Sequence, residues 1–261
     1  FQDGVIGNAR RQETRIWQPS TGTWKIAPLP VALVADELDG HAPETGVKFF
    51  VATPDGKAGL AVATPGNSGV WVFDGDGWVM TGAKLPAEVD GKPLYTVTRG
   101  VDRGVRFRDL NGDGCSDLIV ANEAQNVVYY WRPADRRWDR ASFSLPGKAR
   151  LVDANGADEG ARFVDLDGDG DEDLVYSNER EFGIYLFDGP ARGWATMIRE
   201  GYAGAAAAPP PITRRGALNG VQFHSGAMVL VNEFTAARPG LMERYTFEEL
   251  LRVGSASGTQ R

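Results

Sequence analysis

The chain has little sulfur and little imidazole. Its 261 residues include one cysteine, Cys115, and two histidines, His41 and His224. A single cysteine excludes an internal disulfide. It is compatible with the cytosol, and equally with a secreted bacterial protein that metal holds together instead. Neither histidine sits in a cluster with metal-ligand spacing. No Gly-x-Ser-x-Gly elbow and no P-loop occur, so two common catalytic frames are missing. No apolar run approaches the roughly 20 residues that a membrane-spanning helix needs. The chain opens at Phe1 rather than Met and shows no signal peptide, so a processed product or a fragment is expected.

Negative charge is in excess. Lys and Arg number 28 against 35 Asp and Glu, for a net charge of −7. An acidic surface repels phosphate backbones, which argues against nucleic acid as a partner, while carboxylates favour hard cations. Apolar residues make up 42% of the chain, enough for a packed core. The 33 glycines, with short runs of Val, Tyr, Trp and Phe, predict many short strands joined by turns.

Those strands repeat. Phe49, Phe107, Phe163 and Phe223 head matching stretches that begin at Gly46, Gly104, Gly160 and Gly220, at spacings of 58, 56 and 60 residues. Each unit continues with a second strand ("DLIVANE"), a third ("NVVYYW") and a turn leading to a fourth. Trp24, Trp78, Trp138 and Trp194 fall at equivalent places. Leu118 and Val120 point to one side of strand two, Ile119 and Ala121 to the other, so that strand is buried on both faces. Sheets stacked face to face around an axis supply such a setting. Four strands per 40–60 residues predict an all-β chain of propeller blades.

The boundaries read as a partial blade (strands two to four) at 1–30, blades at 31–86, 87–146 and 147–202, a connector with a degenerate last blade at 203–252, and a tail at 253–261. That makes four to five blades, and a closed ring calls for further chain. Three successive prolines mark 203–216 as a connector. "MERYTFEELLR" reads as a short helix or a worn outer strand.

Two units carry an acidic loop between strands one and two. In "DLNGDGCSDL", Asp109, Asn111, Asp113 and Asp117 offer side chains and Cys115 a main-chain carbonyl. In "DLDGDGDEDL" the set is Asp165, Asp167, Asp169 and Asp173, with the Asp171 carbonyl. Ca²⁺ takes six to eight oxygens at flexible geometry, and alternate loop carboxylates can wrap it. An EF-hand would need Glu at position twelve, where Val120 and Tyr176 stand within strands. The plainer alternative is an Asp/Gly turn without metal, but four clustered carboxylates would then repel one another. Two structural Ca²⁺ ions are therefore expected. "VATPDGKAG" keeps only Asp55 of the acidic set, "HSGA" has deleted the loop, and "DGDG" at 74–77 belongs to a different hairpin.

These loops and their blade pattern resemble the FG-GAP/VCBS repeats of integrin-α-type β-propellers. The resemblance is specific in two units and departs from the pattern in those starting at Gly46 and Gly220. It implies a structural role for the calcium. It also implies a setting in large secreted bacterial proteins, some fused to haem-binding or dehydrogenase-like domains. No Cys-x-x-Cys-His is present.

A ligand surface is expected opposite the calcium loops. There the strand two–three turns present Asn122–Glu123, Asn178–Glu179 and Asn232–Glu233. The connections between blades bring Asp102, Arg103, Asp158 and Glu159 to the same face. Binding residues favour loops on a rigid scaffold, but an Asn at such a turn can equally serve to close it. The repeated Trp residues leave a similar choice between stacking on sugar rings and packing the blade.

The expected function is a calcium-stabilised binding or scaffold module of a secreted, periplasmic or cell-surface bacterial protein. Its partner would be a carbohydrate, a protein, or other domains of the same protein. The alternative is the propeller part of a periplasmic oxidoreductase or polysaccharide-active enzyme. A carboxylate pair among Glu123, Glu179 and Glu233 would suit glycoside chemistry. "STGTW" at 20–24 resembles the Thr-Gly-x-x-Trp element of quinoprotein propellers, although it occurs once and fits an ordinary hairpin turn.

Overall fold

A computed structural model describes residues 4–8, 10–36, 43–206, 208–232, 235 and 242–252. The chain divides into two compact units. One comprises residues 1–120 and 127–140; the other comprises 121–126 and 141–261.

In the first unit, β1 (Gly4–Gly7), β2 (Gln12–Gln18) and β3 (Thr23–Pro28) form a three-stranded sheet. β4 (Lys48–Val51), β5 (Ala58–Ala63), β6 (Ser68–Phe73) and β7 (Trp78–Met80) form a four-stranded one. Two hairpins follow: β8 (Glu88–Val89) with β9 (Lys92–Pro93), and β10 (Val97–Thr98) with β11 (Val101–Asp102). β12 (Val105–Arg108), β13 (Asp117–Ala121), β14 (Asn126–Arg132) and β15 (Arg137–Arg140) make the next four-stranded sheet. The "STGTW" stretch lies in the β2–β3 hairpin, where the Thr21 N–H donates to the Gln18 carbonyl.

In the second unit, β16 (Ala161–Val164), β17 (Asp173–Ser177), β18 (Glu181–Leu186) and β19 (Thr196–Tyr202) form a four-stranded sheet. The hairpin of β20 (Thr213–Arg214) and β21 (Ala217–Leu218) begins inside the Pro-rich connector, beyond its three prolines, and ends just past it. β22 (Val221–His224), β23 (Ala227–Leu230) and β24 (Glu243–Thr246) form the last sheet, and the helix α1 (Phe247–Leu251) follows. "MERYTFEELLR" is thus outer strand and helix in succession. The Thr246 hydroxyl and the Glu249 side chain cap that helix reciprocally.

Register explains the repeat. Phe49 pairs with Leu60, Phe107 with Leu118, and Phe163 with Leu174, each across a stretch of the same length. Phe223 pairs with Met228 across the shortened one. Every residue of β13 and β17 is buried, as strands covered on both faces must be. Trp131, Phe50, Phe107 and Leu118 share the main core of the first unit. Val175, Ile184, Met228 and Leu250 share that of the second. Trp138 packs 4.6 Å from Trp131, and Trp194 lies 5.2 Å from Phe187. These two indoles serve the sheets, whereas Trp24 is 48% exposed and rests edge-on against Trp17.

No helix among the described residues is long and apolar enough to cross a membrane. Gly183, in the middle of β18, tests the packing of its sheet. A Cβ there would come 2.3 Å from the Tyr176 ring and 2.8 Å from the Tyr185 ring. Gly183→Ala should lower stability by about 1–3 kcal/mol through overpacking. The urea midpoint measures this, and an unchanged midpoint would show that the rings have room to move.

Candidate metal centres and the facing turns

Asp117 opens β13 and is fully buried. Its Oδ1 accepts the Trp131 N–H at 2.9 Å and its Oδ2 accepts the Leu110 N–H at 3.0 Å. One side chain thereby ties the loop's entry, strand two and strand three. Asp173 repeats this in the second unit, taking the Phe187 N–H at 2.8 Å and the Leu166 N–H at 2.9 Å. Each carboxylate oxygen retains a further lone pair.

The remaining acidic side chains wind the loop on itself. Asp109 accepts the Gly112 and Gly114 N–H groups, both at 2.9 Å. Asn111 takes the Asp113 N–H and Asp113 takes the Cys115 N–H. In the second loop Asp165 takes Gly168 and Gly170, Asp167 takes Asp169, and Asp169 takes Asp171. Gly112 and Gly114 have φ of 69° and 81°, and Gly168 and Gly170 have 83° and 95°. A side chain at any of the four would strain the winding.

Donor oxygens converge as a result. Those of Asp165, Asp167 and Asp173 all lie within 4.8 Å of one another. In the first loop Asn111 stands where Asp167 does, with a neutral oxygen in place of an anionic one. Such all-oxygen sets fit a hard divalent cation. The Cys115 thiol is no candidate ligand. It is buried in the core, and burial pushes it up to about 12, with Asp113 adding to the effect. Only the main chain of Cys115 belongs to the loop.

Electrostatics supports the same reading. Burial, opposed by the N–H donors of Trp131 and Leu110 and reinforced by the charges of Asp113 and Asp109, raises Asp117 to about 7. Asp173 is raised to about 6, again chiefly by burial. Without a counter-ion, these loops hold protons that an ordinary carboxylate would have lost.

The first loop is also laced to the neighbouring sheet of its own unit. The Ser116 N–H donates to the Val51 carbonyl, and the Val51 N–H donates to Ser116 Oγ. Trp131 Nε1 donates to the Ala52 carbonyl. A Cβ on Gly114 would lie 3.3 Å from the Pro54 carbonyl oxygen.

The turns between strands two and three show a division of labour. Asn122 Oδ1 accepts the Ala124 and Gln125 N–H groups. Asn178 Oδ1 accepts those of Arg180 and Glu181, and Asn232 Oδ1 that of Thr235. The asparagines close their turns, while Glu123 and Glu179 stay exposed. Glu233 lies outside the described residues.

In the second unit a cavity of about 300 Å³ gathers Asp158, Glu159, Asn178, Glu179, Arg180 and Arg215. Glu159 pairs with Arg180, Asp158 with Arg162 at 2.7 Å, and Glu179 accepts the Arg215 N–H. A second cavity, of about 530 Å³, is lined by Glu179, Arg214, Arg215 and Asn232 among others. In the first unit Asp102 caps the Gly104 N–H and binds Arg106 and Lys48. Burial opposes its ionisation, but Arg106 and Lys48 outweigh burial and hold the carboxyl below its usual value. The Arg103 N–H donates to the Thr96 carbonyl. Sequence reasoning missed Arg180, the cation that pairs with Glu159, and Arg215, whose main-chain N–H meets Glu179. The missed signal was Arg215-Gly216, whose φ of 52° and 73° make the tight hairpin that brings this arginine to the cavity.

Residues 109–176 match the FG-GAP-like repeat family. The chain therefore carries an FG-GAP-type repeat, and the matched stretch contains both acidic loops. No curated protein matches the chain. Among solved structures, 88% of the chain superposes with a TM-score of 0.52 and 14% identity on an Agrocybe aegerita lectin, described as specifically recognising non-reducing terminal N-acetylglucosamine. The chain spans 56% of that lectin's length. At this identity the likeness shows a shared β-rich fold.

The raised carboxyls set a pH dependence. In the metal-free native state Asp117 and Asp173 keep protons that the unfolded chain releases near pH 4. Their contribution is present below the unfolded value and falls as pH climbs from about 4 to about 7. Urea midpoints measured with chelator at pH 4.5, 6 and 7.5 should fall more steeply for the native chain than for Asp173→Asn. Parallel slopes would refute the assignment.

Proposed function

We propose that this chain is a calcium-stabilised β-propeller portion of an exported protein and that it binds carbohydrate. The convergence of Asp165, Asp167 and Asp173 around buried, protonation-prone carboxylates carries the calcium half. The first ion would be held by Asp109, Asn111, Asp113 and Asp117 with the Cys115 carbonyl. The second would be held by Asp165, Asp167, Asp169 and Asp173 with the Asp171 carbonyl. Its chemistry there is neutralisation of clustered carboxylates, and the protein's share is to hold their oxygens in place.

The polar cavity between the 153–158 hairpin and the 178–181 turn supports the ligand half. Its carboxylates and guanidinium groups are the charged hydrogen-bonding partners that fix hydroxyl-rich ligands. The likeness to a lectin fold agrees with this reading. The proposed ligand residues are Asp102 and Arg103 in the first unit and, in the second, Asn122, Glu123, Asn178, Glu179, Asp158 and Glu159. Asn232 belongs to the second unit's set.

Calcium at one hundred times its dissociation constant should stabilise the fold by about 2.7 kcal/mol per independent site. EDTA should accordingly lower Tm by several degrees, and calcium but not sodium should restore it. An unchanged melt would remove calcium from the account.

A glycan-array screen in calcium buffer should show selective retention of terminal saccharides. Glu179→Ala with Arg180→Ala should weaken retention at least tenfold on glycans that reach the 300 Å³ cavity. A blank array would overturn the carbohydrate reading.

A further inference from the structure

The residue after Arg180 belongs to a different cavity. Glu181 lines a hollow of about 460 Å³ on the β17–β18–β19 sheet, together with Lys148, Tyr176, Glu200 and Tyr202. Cross-strand register puts these groups on one face. Glu181 is paired with Tyr202, Gly183 with Glu200, and Tyr176 with Gly183. Directly opposed residues of antiparallel strands project to the same side. Gly183 leaves the space that the tyrosine rings occupy.

The hollow has a polar floor and an aromatic wall. Tyr185 donates its hydroxyl to Glu200 Oε2, and burial raises the Tyr176 and Tyr185 hydroxyls, which stay protonated donors. The connection at Gly147, with φ of 58°, comes down onto this floor. A Cβ there would lie 2.6 Å from the Tyr185 hydroxyl and 3.4 Å from that of Tyr176. Lys148 Nζ sits 2.9 Å from Glu181 Oε2 and 5.2 Å from the centre of the Tyr202 ring. Tyr202 itself is 73% exposed.

We propose that this hollow is a saccharide subsite in which an uncharged hexopyranose stacks on Tyr202 and is gripped through its hydroxyls by Glu181, Lys148 and Glu200. The proposal rests on the carbohydrate reading above and narrows it to one pocket. An open tyrosine face offers apolar contact to the C–H face of a sugar ring. Carboxylate and ammonium groups beside it form charge-assisted bonds to hydroxyls. Two carboxylates against one ammonium leave the hollow at −1, which disfavours uronates and other anionic sugars. The volume falls in the range of small-ligand sites.

The test uses the full chain in calcium buffer, with glucose, galactose, N-acetylglucosamine and glucuronic acid as probes in saturation-transfer NMR. At least one uncharged probe should bind and glucuronic acid should bind more weakly. Tyr202→Ala should weaken the uncharged probe at least tenfold and Tyr202→Phe should retain it. Glu181→Gln should weaken it several-fold, with melting curves of all variants within a few degrees of the native chain. If no probe binds and the array is also blank, pocket and carbohydrate reading fall together. If the native chain binds saccharides and Tyr202→Ala binds them equally, this pocket is wrong while the wider reading stands.

Discussion

A buried carboxylate with both oxygens engaged is the constraint on which each intact repeat depends. Asp117 and Asp173 do what no single backbone bond does: each joins the start of the loop to the third strand through the second. Burying a carboxylate is costly unless hydrogen bonds or a counter-charge offset it. Two N–H donors supply part of that offset. The loop oxygens of Asp165 and Asp167 converge with those of Asp173, where the proposed cation would supply the rest. The loop's sequence is therefore set from inside the sheet, with the exposed aspartates arranged around a buried one.

Period and pairing were legible in the sequence. The aligned phenylalanines meet Leu60, Leu118, Leu174 and Met228 across the first two strands, and β13 and β17 are covered on both faces. These features follow from local alternation and repetition, which sequence displays directly. The choice between closing a turn and facing a ligand was not legible for Asn122, Asn178 and Asn232. Their side-chain oxygens turn back onto the chain two or three residues on, a detail that composition does not encode. The hairpins at Asp90-Gly91, Arg99-Gly100 and Arg215-Gly216 also went unread. Only the first carries a familiar turn dipeptide, and the arginines adopt positive φ without advertising it. The Tyr202 hollow was invisible for another reason. Lys148 and Tyr202 are far apart in sequence, and the turn at Gly147 and the pairing of Glu181 with Tyr202 together bring them to one place.

The family match and the structural likeness bear on different parts of the chain. The first covers the two repeats with acidic loops, where a short motif is dense enough to be recognised. The second extends over most of the chain and shows a shared fold alone. Trp194 is buried and Trp138 half-buried, each packed against its own sheet.

The lacing of the first loop to Val51, Ala52 and Pro54 bears on how such an array ages. The sheet of β4 to β7 lacks the acidic set, yet its first strand and loop abut the acidic loop of the repeat that follows. Order is thus lent backward along the chain, from a pinned repeat to its unpinned predecessor. A repeat in that position can drift freely at its acidic positions while its backbone carbonyls still meet their donors. Decay within the array is then tolerated unevenly. A repeat without the acidic set, as that of β4 to β7 is, can still be braced by the repeat that follows it.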